Sequence, residues 1–578
     1  MNMILKEVKK IFLSLGLILG LPCLVGCNQS KNQELINKAN QAEFYSPSFD
    51  SKKSLQTYFD RYESEKIDMG ENFFSNKLNS IGNQKLLVIP IWFSDGSLSS
   101  SLKNQVHEDL ENAFFGTAGT NWESVASFYS KSSHNALNLT GTVTDWITPT
   151  RLESRVKNSF GKLNKNYFNY ADNQYDFATT TDNGLYDLFN DVLNQVAQKY
   201  GNAFLRDYDQ DKDGFIDGVW FVYNVDDYSR LDERSEYYDE NYWAYTWTDY
   251  YDQIIFEERE GKYYVRKTDL QNNIRNWTTT GYPRINNFAW GSYDFMYASD
   301  KKRTLGYELG SPDAHTYIHE TGHMMGLDDY YSYADEPNSP MGTVDMMDCN
   351  IGDHNGFSKF ALGWNKAYIW TKQKGNNVIS LKDASTSGEG ILIPASDSFN
   401  NETAFNEYLY VEYYTPSGLF KKDSEDYYLN GARCFTQNGV RIYHVDARVA
   451  YFDEDSGHYL KSPTTKHSFC TVASNTPDYS SNGFGLIAAI SSDNDKHYTT
   501  TKEDNMVIWN ESLFQKGDSF SIQKYSSYFA NTDEKLSIFK KNKTWNTVAE
   551  LGDSSSTTNV QIYVGYTCNE YANIAISF

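Results

Sequence analysis

One stretch of the chain gathers residue types that can do chemistry: Ser311-Pro312-Asp313-Ala314-His315-Thr316-Tyr317-Ile318-His319-Glu320-Thr321-Gly322-His323-Met324-Met325-Gly326-Leu327-Asp328-Asp329. It contains the pattern H-E-x-x-H. On a helix, positions i and i+4 share a face, so His319 and His323 can hold one metal ion. A carboxylate ten residues after His319, Asp329, can complete the set once the chain reverses; Asp328 is the alternative if the loop register differs. Two neutral imidazoles and one carboxylate leave a fourth position open on Zn²⁺ for water, and the ion lowers the pKa of that water towards neutrality. Glu320, next to the first histidine, can take the water's proton as general base and return a proton to a leaving amine. That is hydrolysis without a covalent intermediate. The bland alternative is a surface helix with two incidental histidines, and the added Gly326 and Asp329 at fixed spacings weigh against it.

A second constellation lies at 207–218, DYDQDKDGFIDG. Asp209, Asp211, Asp213 and Asp217, with Gly214 for the turn and the backbone carbonyl of Phe215, match the start of a calcium loop. Position twelve is Trp220 instead of Glu, so this is no complete EF-hand. A structural Ca²⁺ site in a loop-to-strand connection is the expectation, against the alternative of a solvated acidic turn.

These side chains need elements to hold them. Ser311 suits a helix N-cap and Pro312 a first turn, while Gly326 can take the left-handed conformation that ends a helix. Leu86 to Phe93 is a continuous apolar run and reads as a buried central strand. A helix is expected near 101–115, a strand at 136–147, and a helix at 183–200 from the spacing of Leu185, Leu188, Phe189, Val192, Val196 and Ala197. A strand follows at 219–223. Residues 225–300 show no clear period and read as long loops with short strands. Past about 371, short β-like runs such as EYLYVEYY, GVRIYHV, VQIYVGY and NIAISF recur between turns with no convincing helix, as in β-sandwiches.

The long H-E-x-x-H-x-x-G-x-x-D spacing together with Met346-Met347 resembles the metzincin pattern, in which a methionine-bearing turn lies beneath the zinc. An acidic third ligand is the departure from that pattern, and it makes the chain resemble the immune inhibitor A family of metallopeptidases. LLVIPIWFSDGS, SVASFYSKSSHNALNLTGTV, the FALGW segment after Gly356, NEYLYVEYY and NGVRIYHVDAR are similar to further stretches of that family, over about 86–450. The resemblance implies zinc ligands at His319, His323 and Asp329, catalysis by Glu320, the Met-turn at Met347 with Met346 adjacent, and calcium stabilisation. It implies an α+β multidomain fold: a zincin (metzincin-like) catalytic domain at 83–370 followed by a C-terminal β-sandwich-like region at 371–578. His315, one turn before His319, reads as a supporting or surface histidine, and His354 and His444 as structural. No oxyanion stabiliser stands out among 45 tyrosines.

The N-terminus sets the expected compartment. Lys6, Lys9 and Lys10 precede an apolar run from Ile11 to Val25, too short to span a membrane comfortably and flanked like a signal peptide. Leu24-Val25-Gly26-Cys27 resembles a bacterial lipobox, which implies removal of 1–26, lipidation of Cys27 and an extracytoplasmic protein anchored by acyl chains to the membrane or cell surface. Residues 27–82 are polar and read as tether plus an N-terminal segment, helical in part. Cys349, Cys434, Cys470 and Cys568 are scattered, with no zinc-ribbon spacing, and leave one or two disulfides or buried thiols open. The net charge of −24 argues against a nucleic-acid partner. A monomer acting on protein or peptide substrates is expected. Two alternatives stand beside it: an adhesin or binding lipoprotein with an accessory or degenerate peptidase domain, and a zinc hydrolase of non-peptide substrates.

Overall fold

The computed structural model describes residues 31–46, 67–68, 78–117 except 95, 123–150, 156–157, 163–164, 184–225 except 213, 244–248, 254–259, 262–267, 281–297 except 286, 312–331, 341–395 except 343 and 349, 407–425, 435–453 except 448, 458–460, 468–471, 486–494, 510–528 and 559–578. Within them the chain is mixed α/β with several separate sheets. The leader 1–26 and Cys27 lie outside the described residues.

The central sheet has five strands, β1 (Gly82–Ile91), β2 (Leu137–Val143), β3 (Val219–Tyr223), β4 (Tyr245–Thr248) and β5 (Asn287–Ser292), in the order β2-β1-β3-β5-β4. Four strands run parallel and β4 is antiparallel to β5 at one edge. Parallel strands need both faces covered, and their side chains alternate accordingly. Leu86, Val88, Trp220 and Val222 pack on one face with helices α1 (Lys103–Phe115) and α2 (Val125–Ser132). Leu87, Ile89, Ile91, Phe221 and Tyr223 pack on the other with α3 (Gly184–Tyr200), through Leu188, Phe189, Val192 and Val196. The strands and helices expected near 86–93, 101–115, 136–147, 183–200 and 219–223 all form. Strands β4 and β5 are among the short strands expected within 225–300, and β5, NFAWGS, is wholly buried.

Helix α4 (His315–Met324) crosses the first of these faces. It starts later than expected. Ala314 is its N-cap, Pro312 precedes it, and Ser311 lies outside the described residues. Asp313 Oδ1 accepts from the His315 amide at 2.8 Å, serving a free amide of the first turn in place of a serine cap. The far end is as expected. Gly326 takes φ 99°, its N–H donates to the His323 carbonyl, and the Leu327 N–H donates to Gly322. This pair of bonds is a Schellman closure, and it turns the chain back towards the helix.

Beyond α5 (Gly356–Ala361) two sheets face each other. One has the order β6-β8-β9-β10-β11, from β6 (Lys366–Ile369), β8 (Glu389–Pro394), β9 (Glu407–Tyr414), β10 (Gly439–Asp446) and β11 (Ile487–Ile490). The other has the order β7-β14-β13-β12, from β7 (Asn377–Lys382), β12 (Ser519–Ser521), β13 (Gln561–Thr567) and β14 (Tyr571–Ser577). Ile391, Ile393, Leu409 and Val411 from the first sheet share a core with Ile379, Ile562, Ile574 and Ile576 from the second. Because β6 pairs with β8, this region begins a few residues before the expected boundary at 371. Tyr408, Tyr410 and Tyr443 join Phe357 and Phe360 in the first core, so the two regions are packed as one. A short helix, α6 (Phe420–Glu425), interrupts a stretch that read as purely β.

Candidate metal centre

Helix α4 carries both histidines on one face, and the Schellman turn returns Asp329 to them. His319 Nε2 lies 3.2 Å from His323 Nε2, and Asp329 Oδ1 lies 3.0 and 3.3 Å from those two nitrogens. Ligands about 2.05 Å from a tetrahedral zinc are separated by about 3.3 Å, so the three atoms stand at the spacing such an ion needs. Asp328, the alternative, is exposed and outside this group.

Both rings are oriented by backbone. His319 Nδ1–H donates to the Met346 carbonyl at 2.8 Å, and His323 Nδ1–H donates to Leu327 at 2.7 Å. Each bond fixes the tautomer that leaves an Nε2 lone pair facing the centre. With Asp329 opposite and Glu320 nearby, His323 is pushed up to about 10. Burial works against its charge, but the Asp329 carboxylate outweighs burial. Burial also opposes ionisation of Asp329, yet the two imidazoles hold it well below the usual range. A cation bound there would replace those protons, so metal uptake would release them.

Glu320 is buried beside the histidines. Burial raises its pKa, partly countered by His323 and His319. Thr246, on edge strand β4, places its hydroxyl 2.7 Å from the Glu320 carbonyl and 3.1 Å from Oε2. Nothing local marked Thr246 in the sequence. It reaches Glu320 only because β5 places β4 beside α4.

The turn beneath the helix is held by Asp345. Its fully buried carboxylate accepts from the amides of Met347 and Asn355, from Ser358 Oγ and from His354 Nδ1. Met346 contributes the carbonyl that holds His319. Met347 contributes bulk: a Cβ at Gly322 would lie 2.7 Å from its Sδ. Trp220 Nε1 donates to Thr321 Oγ1, and Tyr129 OH donates to the Ile318 carbonyl. The ring of Tyr331 lies nearly parallel to His319, centroids 6.5 Å apart. His315 is buried, its Nε2 2.7 Å from the Asn350 carbonyl, away from the three ligand atoms. His354 and His444 are buried against Asp345 and Glu407.

In the acidic loop, Asp209, Asp211 and Asp217 bring one carboxylate oxygen each within 4.8 Å of one another. Asp213 lies outside the described residues. Phe215 pairs with Arg284 in a parallel bridge, and Lys212 and Gly214 take positive φ, bending the loop sharply. Gln210 N–H donates to Asp217 Oδ2 and Gly214 N–H to Asp209 Oδ2. Burial pushes Asp217 up to about 7, with the charges of Asp211 and Asp209 adding. Among the described residues Cys568 is a free thiol; Cys349 and Cys434 fall outside them, and Cys470 sits in a strand.

No known family model and no curated protein matches this chain.

Proposed function

We propose that this chain is a zinc-dependent endopeptidase of zincin type, related to the immune inhibitor A metallopeptidases, that hydrolyses peptide bonds of extracellular proteins from a lipid-anchored position. One observation carries the reading: His319, His323 and Asp329 converge to within 3.3 Å beside a buried glutamate. The central sheet with one antiparallel edge strand and the methionine turn under α4 support the same reading. His319, His323 and Asp329 would hold a zinc ion, which would supply Lewis acidity for activating a water and polarising a peptide carbonyl.

The protein's own groups do the rest. His319 and His323, fixed by the Met346 and Leu327 carbonyls, present their Nε2 atoms without rotating. Glu320 takes the proton of the attacking water and returns a proton to the departing amine nitrogen. Its burial moves its pKa towards the range where both transfers are feasible near neutral pH. Thr246 holds the Glu320 carboxyl in place against the edge of the sheet. Asp209, Asp211 and Asp217 would hold a structural Ca²⁺ at the entry to β3.

The test is metal analysis with proteolysis. Purified protein is expected to hold about one zinc per chain, to cleave an unfolded protein, to stop on chelation and to resume when zinc is restored. Asp329→Ala is expected to lose the zinc. A zinc-loaded chain that cleaves nothing across a broad peptide mixture would overturn the reading in favour of a binding lipoprotein.

A further inference from the structure

The polar stretch after Cys27 is no loose tether over 31–46. Its helix 31–39 and the residues after it lie on the outer face of β7-β14-β13. That face alternates with the core face: Val378, Ser380, Asn573, Ala575, Tyr563 and Gly565 point outward while their neighbours fill the core. The fit is specific. Asn573 Nδ2 donates to the carbonyls of Gln41 and Glu43 at 2.8 and 3.0 Å. Tyr45 and Ser380 exchange two bonds, at 2.6 and 2.9 Å. Asn40 bonds the Tyr563 hydroxyl, and Ala39 is fully buried. A Cβ at Gly565 would lie 2.2 Å from the Ala39 carbonyl, so a glycine is needed there for the segment to seat.

The docked segment carries Phe44, 44% exposed, the only large hydrophobic residue so exposed among the described residues. Phe44 packs edge-on against Tyr571, which neighbours Tyr566. Lys382 lies 5.9 Å from the Phe44 ring, and Lys38 lies 4.6 Å from Tyr45. An exposed aromatic ringed by tyrosines and long lysines has the makeup of a membrane-interface patch, in which rings enter the headgroup layer and lysines extend to water. Only three residues separate Cys27 from the start of the helix, a reach of about 14 Å. An acylated Cys27 therefore keeps the start of this helix within about 14 Å of its acyl chains.

We propose that segment 31–46, docked on the outer face of β7-β14-β13, is a membrane-contact surface that seats Phe44 in the lipid interface and holds the protein in one orientation. The proposal rests on the reading of Cys27 as lipidated and is independent of the peptidase reading. Acyl chains supply the affinity and the docked segment supplies the orientation. Glu34, Glu43 and Glu570 along this segment and the adjoining turn offset the lysines, so charge is not what binds.

The experiment uses the full chain, made with its leader in a bacterium that processes lipoproteins and reconstituted in phosphatidylcholine/phosphatidylglycerol vesicles. Three tryptophan reporters are compared with wild type: Phe44→Trp on the segment, Tyr566→Trp on the sheet and Glu111→Trp on α1. Lipids brominated near the glycerol end are expected to quench the added emission at 44 and at 566, and not at 111. Quenching at 44 alone would show that the segment has peeled from its sheet, which overturns the orienting surface. Quenching at neither, with lipid found on Cys27 by mass, would show a body free on its leash and overturn the contact. Absence of lipid on Cys27 would overturn the anchor on which the proposal rests.

Discussion

Calcium-free protein should lose stability as pH rises towards neutrality, with Asp217 among the groups responsible. Its buried carboxyl is pushed up to about 7 by burial, against the opposing Gln210 hydrogen bond and with help from Asp211 and Asp209. An unfolded aspartate titrates near 3.9. The folded chain thus binds this proton more tightly than the unfolded chain. The contribution is fully present below about pH 4 and is lost as pH rises through about 7. Three pKa units correspond to about 4 kcal/mol, as an order of magnitude. Calcium bound in the loop would replace the proton and remove the loss. Asp217→Asn should therefore be more stable than wild type at pH 8 without calcium, by about 2–4 kcal/mol, and should gain little when calcium is added. The assay is urea unfolding at pH 5 and pH 8, on chelated protein with zinc restored, with and without calcium. Asp423, pushed up to about 8 by burial, has the same sign, so the wild-type-minus-variant difference isolates Asp217. A wild type equally stable at both pH values without calcium, or a variant that calcium stabilises as much as wild type, would refute the reasoning.

Thr246→Val should lower kcat by about tenfold to a hundredfold with zinc retained, the worth of one hydrogen bond to a charged group, and Thr246→Ser should restore it; steady-state kinetics decide. Gly322→Ala forces Met347 Sδ away from a position 2.7 Å from the new methyl and should cost about 1–3 kcal/mol in urea unfolding. Lys359→Met leaves the buried Asp353 carboxylate without its ion-pair partner and should cost about 3–5 kcal/mol in the same assay.

What the sequence made legible follows the range of the interactions. The histidine pair, Glu320 and the turn at Gly326 are local, set within one helix and its closure, so spacing alone placed them. Asp329 over Asp328 is decided by that closure. Strands β1 and β3 announce themselves as apolar runs because parallel strands are covered on both faces. Strand β5 does not, since NFAWGS mixes small and polar residues and has no period. Thr246 lies 74 residues before Glu320 and becomes a neighbour only through sheet order. The carbonyls of Met346 and Leu327 have no side-chain signature at all. Docking of 31–46 on β14 joins positions more than 500 apart, through small residues such as Gly565 that carry no obvious signal.

The most direct measurement is turnover of an unfolded protein substrate by Glu320→Gln, with zinc content measured on the same sample. The substitution keeps the size of the side chain and removes its ability to accept the proton of water. The expected result is about one zinc per chain and a kcat lower by about a hundredfold to ten-thousandfold. A zinc-loaded Glu320→Gln protein that cleaves at the wild-type rate would contradict general-base catalysis by Glu320.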